Sequence, residues 1–412
     1  KSGTEWYSYY LIRALVQIDK KNTYILYTDA PLCEGLADLT DNPYNKTFIT
    51  SVRANGMQPV RSPHNNVKAK VLRWPWKFFW TQGRLSLEMI FHRPDILFVP
   101  AHTLPLLHPK KSVVTIHDIG FRNNAFLYEH NQIGADSRRR RSFINFCIRC
   151  ISFGKYGATS LDYLEWSTKF ALQQAATIIA ISQFTKSELL SAYQAKPEKI
   201  SVIYNGYSED LYHSIPDDAT SDEVLQRYGI SRPYFFYVGR LEKKKNTATL
   251  IEAFALLKSK QGGNFKHKLC LVGDASYGFD EIKYTIHEYG LVNDVIVTGW
   301  VAEQDLPYIF ARAEAFVFPS NYEGFGIPLL QAMATSTPIA ASNIASIPEI
   351  VQDAAILFDP KSSQDMAEAL SRVLFDSSLR ESLIDRGNQR VKQFSWHRTA
   401  LETLEVFNHL KS

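Results

Sequence analysis

The sequence predicts an α/β fold made of two doubly wound domains that face each other across a cleft. At 412 residues, the chain is too long for one ordinary α/β layer. Short apolar segments alternate with helical patterns, which is typical of parallel strands buried on both faces of a sheet. The alternation restarts after residues 214–222, whose acidic, proline-containing and apolar-poor sequence indicates an inter-domain linker.

The first predicted element is a helix, with no strand before it. Residues 1–5 (KSGTE) lead directly into a helical pattern that places Tyr7, Leu11 and Leu15 on one face. Glycine before a helix usually follows a strand in this class of fold. We therefore expect the first strand of the fold to be missing from this chain.

The predicted strands then form two groups, one for each domain. In the first domain they are residues 24–28, 96–99, 113–117, 177–181 and 200–204. In the second domain they are residues 234–238, 269–272, 295–298, 316–318, 338–341 and 355–358. Helices over 247–259 and 303–311 separate strands of the second group, and a last helix covers about 396–410. The expected boundaries are thus 1–212, 213–395 and 396–412.

Composition narrows the class of protein. Hydrophobic residues make up 45% and charged residues 21%, which is typical of a soluble globular enzyme. The net charge of +4 does not indicate nucleic acid as the main partner. No run of eighteen apolar residues predicts a membrane span, and the start does not resemble a secretory signal. The scattered cysteines, with a lone CxxC, indicate structural thiols in a reducing cytoplasm: Cys33, Cys147, Cys150 and Cys270.

Residues 129–156 interrupt the alternation and form an apparent insertion in the first domain. This segment carries the basic run Arg138, Arg139, Arg140 and Arg141, followed by aromatic and branched apolar residues. Such a cluster can lie in a membrane interface and attract anionic lipids. It can equally be a surface loop with a solvated charge run and a small hydrophobic anchor.

The stretch 316–335 (FVFPSNYEGFGIPLLQAMAT) has the order of a ligand-binding turn. A short apolar strand is followed by one carboxylate, Glu323, then by Gly324 and Gly326, and then by a helix that begins near Pro328. Glycines let a ligand approach the backbone, and a helix N-terminus favours anionic groups. The alternative is a tight strand-to-helix connection without a ligand.

A second candidate loop is 238–246 (VGRLEKKKN), after the first strand of the second domain. Arg240 and Lys245 there could hold a diphosphate through one guanidinium and one ammonium group. No aspartate pair with DxD spacing stands at a strand end, so fixed cations are expected in place of a metal ion. Lys243 and Lys244 are expected to be solvated loop residues.

A third candidate is 113–121 (VVTIHDIGF), where His117 and Asp118 follow a buried strand. Their side chains should open into the cleft, although a histidine satisfied within the core is the commoner arrangement. His102, in the loop after the preceding strand, is a similar candidate with less support.

Taken in order, these pieces resemble a retaining glycosyltransferase of the GT-B fold, in glycosyltransferase family 4. The resemblance covers nearly the whole chain. It rests on SGTEWYSYYLIRAL, RPDILFVPAHTLP, VVTIHDIGF, TIIAISQFTKSELL, KISVIYNG, YVGRLEKKKN, VTGW and EGFGIPLLQAMA. It implies that the second domain holds a nucleotide-sugar and the first domain an acceptor, with the final helix crossing back to the first domain.

The resemblance also implies roles for individual residues. Arg240 and Lys245 correspond to the cations on the donor diphosphate, Glu323 to the first acid of the E-x7-E motif, and His117 to a histidine lining the sugar site. Asp118 and His102 would face the acceptor. The donor would contact, largely through main-chain atoms, Gly3, Thr298, Gly299, Trp300, Gly324, Phe325, Gly326 and Ile327.

One position departs from the family pattern. Eight residues after Glu323, where the family usually has a glutamate that binds the ribose diol, this chain has Gln331. An amide still accepts and donates hydrogen bonds but carries no charge. Hydrogen bonds to charged groups contribute about 1.5–3 kcal/mol against about 1 kcal/mol for neutral ones. We expect weaker or altered nucleotide binding with the chemistry retained.

The predicted function is transfer of a hexose, with mannose suggested, from a nucleoside-diphosphate sugar to a hydroxyl of a glycan or lipid-linked acceptor. The transfer would proceed with retention and without a metal or other cofactor. The protein would be cytoplasmic, with peripheral contact to the inner face of the membrane left open. Two alternatives remain: a catalytically weakened, membrane-associated scaffold of the same fold, and a sugar-nucleotide epimerase of the GT-B fold.

Overall fold

The computed structural model describes residues 3–32, 66–75, 79–128, 159–216 and 218–411, with isolated residues between 36 and 39 and between 142 and 157. The basic run Arg138–141 lies outside these residues, so the membrane contact expected from it stays a prediction. The expected absence of a strand before Gly3 is likewise untested. Within the described ranges, no helix is both long enough and apolar enough to cross a bilayer.

The first half of the chain carries two parallel sheets. Strands β1 (Tyr24–Thr28) and β2 (Val67–Val71) pair in parallel, and a four-stranded parallel sheet has the order β3-β4-β5-β6. These four strands are Leu97–Val99, Ser112–Ile116, Thr177–Ala180 and Ile200–Val202. The helices are α1 (Gly3–Ile18), α2 (Ser86–Phe91), α3 (Gly120–Asn123), α4 (Ser160–Gln174) and α5 (Gln183–Tyr193). A π-helical turn, Thr81–Leu85, leads into α2.

The second half carries one six-stranded parallel sheet in the order β12-β11-β10-β7-β8-β9. In chain order its strands, β7 to β12, are Tyr234–Val238, Lys268–Val272, Val295–Gly299, Ala315–Phe318, Ile339–Ser342 and Ala355–Phe358. Helices α6 to α10 are Ala219–Arg227, Thr247–Gln261, Phe279–Glu288, Leu306–Ala311 and Ile327–Ala334. Helices α11 to α14 are Ile347–Val351, Ser363–Phe375, Ser377–Arg390 and Trp396–Lys411.

The strands of the second sheet are apolar on both faces because both faces are covered. Along β7, Tyr234 and Phe236 belong to one buried cluster, whereas Phe235 and Tyr237 belong to another on the opposite face. Burying an aromatic side chain of this kind contributes about 1.5–3 kcal/mol. The prediction of doubly wound parallel sheets from short, fully apolar runs is therefore confirmed.

Three local expectations were wrong or incomplete. Strand β2 was missed because Lys68 and Lys70 alternate with its apolar residues and break the continuous run. Residues 214–222 are not all linker, since Asp218 caps α6 by accepting a hydrogen bond from the Ser221 N–H. The helix expected from residue 303 begins at Leu306.

The final helix, α14, returns to the first half and packs on α1, as the resemblance implied. The Trp396 ring stacks on Tyr10 with a centroid distance of 5.6 Å. Farther along the helix, Phe407 meets Phe98 of β3 edge-on at 5.4 Å. A Cβ added to Gly206 would lie only 2.1 Å from the backbone nitrogen of Trp396. The two segments that connect the halves are therefore in direct contact.

Candidate functional site

The turn after β10 holds Glu323 in a nearly closed environment. The residue is 8% exposed, and its Oε1 accepts hydrogen bonds from Lys245 Nζ at 2.5 Å and from Ser320 Oγ at 2.7 Å. The Ser346 hydroxyl donates to the carbonyl of Glu323 at 2.9 Å and is 3.3 Å from that of Phe325. The carboxylate is therefore fixed by Ser320 of the same turn and by Lys245 of the loop after β7, and Ser346 fixes the main chain of the turn.

The two glycines of this turn serve different purposes. A Cβ on Gly324 would lie 2.0 Å from the His117 carbonyl oxygen, so only glycine allows the two halves to approach this closely. Gly326 precedes α10 and has a φ of 100°, a conformation that favours glycine. The turn thus lies directly against the main chain of His117 and leads into α10, whose first residue is Ile327.

The loop after β7 places three successive lysines in different surroundings. Lys243–Lys245 form one turn of 3₁₀ helix, in which successive side chains point about 120° apart. Lys243 is exposed, Lys244 lies opposite Asp118 at 3.6 Å between Nζ and Oδ2, and Lys245 pairs with Glu323. The expectation that Lys244 is a solvated loop residue was wrong.

Asn246 fixes this loop to its neighbours. It has a φ of 58°, and its Nδ2 donates to the carbonyls of Pro319 at 3.1 Å and Pro360 at 2.8 Å. Arg240, near the start of the loop, is exposed, and its guanidinium has no hydrogen-bond or ion-pair partner among the described residues. One of the two predicted cations is therefore held by Glu323 and the other points into solvent.

On the first half, His117 is buried directly after β4. Its Nε2 donates to the Pro100 carbonyl at 2.9 Å, and its ring meets Tyr7 edge-on at 4.8 Å. Burial lowers the pKa of His117 to about 4, so the imidazole is neutral at pH 7. His102 also has a pKa lowered by burial, and its Nδ1 is buried with no hydrogen-bond partner in the described part of the chain.

Asp118 is the charged group of this edge, and Lys244 of the second half neutralises it. Burial alone would raise the pKa of Asp118, but Lys244 and the Gly120 N–H, at 3.0 Å, hold it below its usual range. Burial alone would lower the pKa of Lys244, whereas Asp118 and then Tyr128 raise it. The Lys244 ammonium also lies 5.1 Å from the Tyr128 ring centroid. Lys244 and Asp118 thus form an ion pair between the halves.

The remaining residues expected to meet the donor lie at the end of β9, within α10 and, for Gly3 and the diphosphate, at the start of α1. Trp300 is 67% exposed, and Gly299 has a φ of 73° with its carbonyl accepting from the Gly273 N–H at 2.9 Å. Thr298 donates through its hydroxyl to the Gly299 carbonyl at 3.0 Å. Gln331 is half-buried on α10, and a Cβ on Gly3 would meet open space.

Sequence reasoning missed several polar contacts between the halves. Ser182 caps α5, and its hydroxyl donates to the Gly324 carbonyl at 2.8 Å. The Glu349 carboxylate accepts from the Gln183 and Phe184 N–H groups at 2.7 and 2.9 Å. A helix N-terminus attracts a carboxylate, and Ser182 is a recognisable cap in the sequence. Nothing local in the sequence, however, identifies Glu349 as the partner.

Within the described ranges, no group of three or more histidine, cysteine, aspartate or glutamate side chains is arranged to hold a metal ion. The predicted independence from metal ions is not tested by this observation and stays a prediction.

The architecture defines a class of protein. Two bodies with parallel sheets, joined by a returning C-terminal helix, form the GT-B fold of glycosyltransferases. Solved structures agree over 94% of this chain. Sucrose-phosphate synthase from Thermosynechococcus elongatus superposes with a TM-score of 0.63 at 18% identity, covering 99% of its chain. Anabaena HepE in complex with UDP-glucose also gives 0.63, at 19% identity and 100% coverage.

Sequence comparison identifies the family. The model of "Glycosyltransferase Family 4" matches residues 1–211, and that of "Glycosyl transferases group 1" matches residues 222–390. The O-antigen chain mannosyltransferase B of Escherichia coli is 30% identical over 332 residues, which is 80% of this chain and 84% of that protein. The chain belongs to glycosyltransferase family 4, and it is an enzyme of the hexosyltransferase type.

Proposed function

We propose that the protein transfers mannose from a nucleoside-diphosphate sugar to a hydroxyl of a glycan or lipid-linked acceptor. The observation that carries this proposal is the Lys245–Glu323 pair in front of α10, together with the exposed Arg240 in the same loop as Lys245. It combines two cations for a diphosphate with one carboxylate for sugar hydroxyls. Mannose is favoured by the similarity to the Escherichia coli mannosyltransferase.

Arg240 and Lys245 would neutralise the charge that grows on the diphosphate as the sugar leaves. Arg240 is exposed and unpaired among the described residues, so it can bind a phosphate without losing an existing partner. Lys245 already pairs with Glu323, and a bound diphosphate would share or replace this contact. The main-chain groups of Gly324, Phe325, Gly326 and Ile327 would meet the donor at the start of α10.

Glu323 and His117 would orient the transferred sugar. Ser320 and Lys245 hold the Glu323 carboxylate, and a carboxylate accepts hydrogen bonds from sugar hydroxyls. His117 is neutral at pH 7 because burial lowers its pKa to about 4. Since its Nε2–H donates to Pro100, its Nδ1 would accept a hydrogen bond from a hydroxyl without adding charge near the anomeric carbon.

We infer retention at the anomeric carbon and independence from metal ions. The acceptor oxygen would form the new bond on the face from which the diphosphate departs, and the acceptor proton would pass to the leaving phosphate oxygen. His102 and Asp118 would face the acceptor. The unpartnered Nδ1 of His102 supports this role, since a bound hydroxyl would satisfy it.

A ligand screen followed by a transfer assay tests the proposal. We expect GDP and GDP-mannose to raise the melting temperature more than UDP and UDP-glucose. Mannose transfer should continue at the same rate in excess EDTA and give the α-anomer, as read by NMR of the product. Thermal stabilisation by UDP-sugars alone would overturn the mannose assignment. Loss of turnover in EDTA, restored by Mg²⁺, would overturn metal independence.

A further inference from the structure

Helix α2 and the loop after β3 expose a cluster of large apolar side chains on the first half of the molecule. We call it the apolar face. Its members are between 47% and 76% exposed: Leu87, Ile90, Phe91, Leu106 and Leu107. Single exposed apolar residues need no explanation, but a contiguous group indicates an interaction surface.

Helix α2 buries its charged residue, Glu88, together with Met89, and leaves Leu87, Ile90 and Phe91 exposed. Glu88 is buried and forms ion pairs with Lys70 and, at 3.2 Å, with Arg84, and its Oε1 lies 3.0 Å from His92 Nδ1. Burial alone would raise the pKa of Glu88, but Lys70 and Arg84 hold it below its usual range, so the carboxylate stays ionised. An ordinary surface helix would have the opposite arrangement.

The loop after β3 forms the second wall of the face. The Leu107 N–H donates to the Ser86 hydroxyl at 3.4 Å, which fixes the loop against the start of α2. Between the two walls lies an open groove of about 650 Å³. Its lining includes Ile90, Leu106 and Leu107, together with the cations Arg93 and Lys110, and no carboxylate among the described residues.

The charge of the groove decides between occupants. A second copy of the chain, docked face to face, would bring Arg93 and Lys110 against the same cations of its partner, and like charges repel. An anionic bilayer presents phosphates for the cations above an apolar layer for the leucine, isoleucine and phenylalanine side chains. We propose that the apolar face docks on the surface of a bilayer that contains anionic phospholipids.

The apolar face contains no residue of the Arg138–141 run, and the inference does not depend on the identity of the donor. It goes beyond the proposed function by specifying a membrane surface as a partner. A protein held there would meet a lipid-linked acceptor in two dimensions. The cations and the apolar residues should act together, because either alone gives weak and reversible binding.

Co-sedimentation with vesicles tests the proposal. The full chain should bind vesicles of phosphatidylcholine with phosphatidylglycerol and bind those of phosphatidylcholine alone at least about tenfold more weakly. The double variant Leu106→Ser/Leu107→Ser and the single variant Ile90→Asp should each lower the partition coefficient about tenfold. The variant Arg93→Glu/Lys110→Glu should remove the preference for phosphatidylglycerol. Matched controls are Val292→Asp and Leu401→Asp, which change exposed apolar residues elsewhere.

Melting temperature and transfer to a water-soluble acceptor should remain unchanged in every groove variant, which separates this inference from the proposed function. Equal binding of wild type and groove variants would overturn it, as would equal losses in the Val292 and Leu401 controls. A concentration-dependent dimer in sedimentation velocity that Ile90→Asp abolishes, without vesicle binding, would assign the face to self-association instead.

Discussion

The carboxyl edges of the two sheets differ in how they carry charge. On the first half, the edge holds two histidines with lowered pKa values, the half-buried His102 and the buried His117, and one acid, Asp118, neutralised from across the interface. On the second half, the edge holds an exposed cation, Arg240, with no side-chain partner among the described residues, and a lysine held by Glu323 in the same half.

The difference separates two tasks of a transferase. The second edge offers the cations Arg240 and Lys245 to an anionic leaving group. The first edge is neutral once Lys244 has paired with Asp118. A neutral acceptor hydroxyl fits the first, and a diphosphate fits the second. The four predictions below test this division.

The largest effect is expected for the cations of the second edge. Arg240→Ala should lower kcat about 100-fold or more, because a fixed charge at the leaving group is lost. Its melting temperature should stay at the wild-type value, since its guanidinium has no partner in the described residues. Lys245→Ala should lower both kcat and the melting temperature, because Glu323 loses its ion pair. The control is Lys243→Ala in the same turn. Near-normal turnover of Arg240→Ala would refute the diphosphate role.

The next effect concerns His117 and pH. With a pKa of about 4 in the folded protein, against about 6.5 when unfolded, the unfolded state binds more protons between these values. The stability from neutral His117 is complete above pH 6.5 and is lost as the pH falls. We expect His117→Gln to remove about 2 kcal/mol of the fall in unfolding free energy between pH 7 and pH 5.

Guanidinium unfolding at the two pH values measures this change, with His213→Gln, at an exposed site, as the control. An unchanged pH dependence in His117→Gln would mean that the imidazole titrates normally in the folded protein.

A smaller effect is expected for the ion pair between the halves. Lys244→Ala removes the partner of Asp118 and the contact with Tyr128, at a cost of about 1–2 kcal/mol in unfolding free energy. Lys243→Ala, one residue earlier and exposed, should cost almost nothing. Equal stability of the two variants would show that the pair contributes nothing between the halves.

The smallest effect is expected at Gln331. If this residue faces the ribose, Gln331→Glu restores a charged acceptor and should tighten nucleoside-diphosphate binding by about 1 kcal/mol, or about fivefold. Calorimetry measures the affinity, and Gln226→Glu, at an exposed position of α6, is the matched control. Unchanged or weaker affinity would place residue 331 away from the ribose.

Local patterns predicted the sheets and the turns because each depends on neighbouring residues. The run FVF, residues 316–318, predicts a buried strand from its own residues, and Gly326 followed by Pro328 predicts the start of a helix. Strand β2 was not predicted, because Lys68 and Lys70 give it the alternation of a partly exposed strand. The prediction looked for continuous apolar runs, which are typical of buried parallel strands.

Pairing across the molecule was not predictable from the sequence. The three lysines of KKK are identical in type, and only the 3₁₀ turn sends one to solvent, one to Asp118 and one to Glu323. Glu349 and the N-terminus of α5 are likewise brought together by the meeting of the two halves. The sequence therefore offered candidate site residues, but it did not show which side chains hold them in place.

The contact between Gly206 and Trp396 has a consequence for motion. The chain passes between the halves at these two segments, and they touch, with the Thr399 hydroxyl also donating to the Tyr204 carbonyl at 2.7 Å. Two bodies joined at touching segments can rotate about that place but cannot slide far past each other. Any opening of the space between the sheet edges therefore turns about the segments around residues 206 and 396. A bulky residue at position 206 would act as a wedge at its pivot.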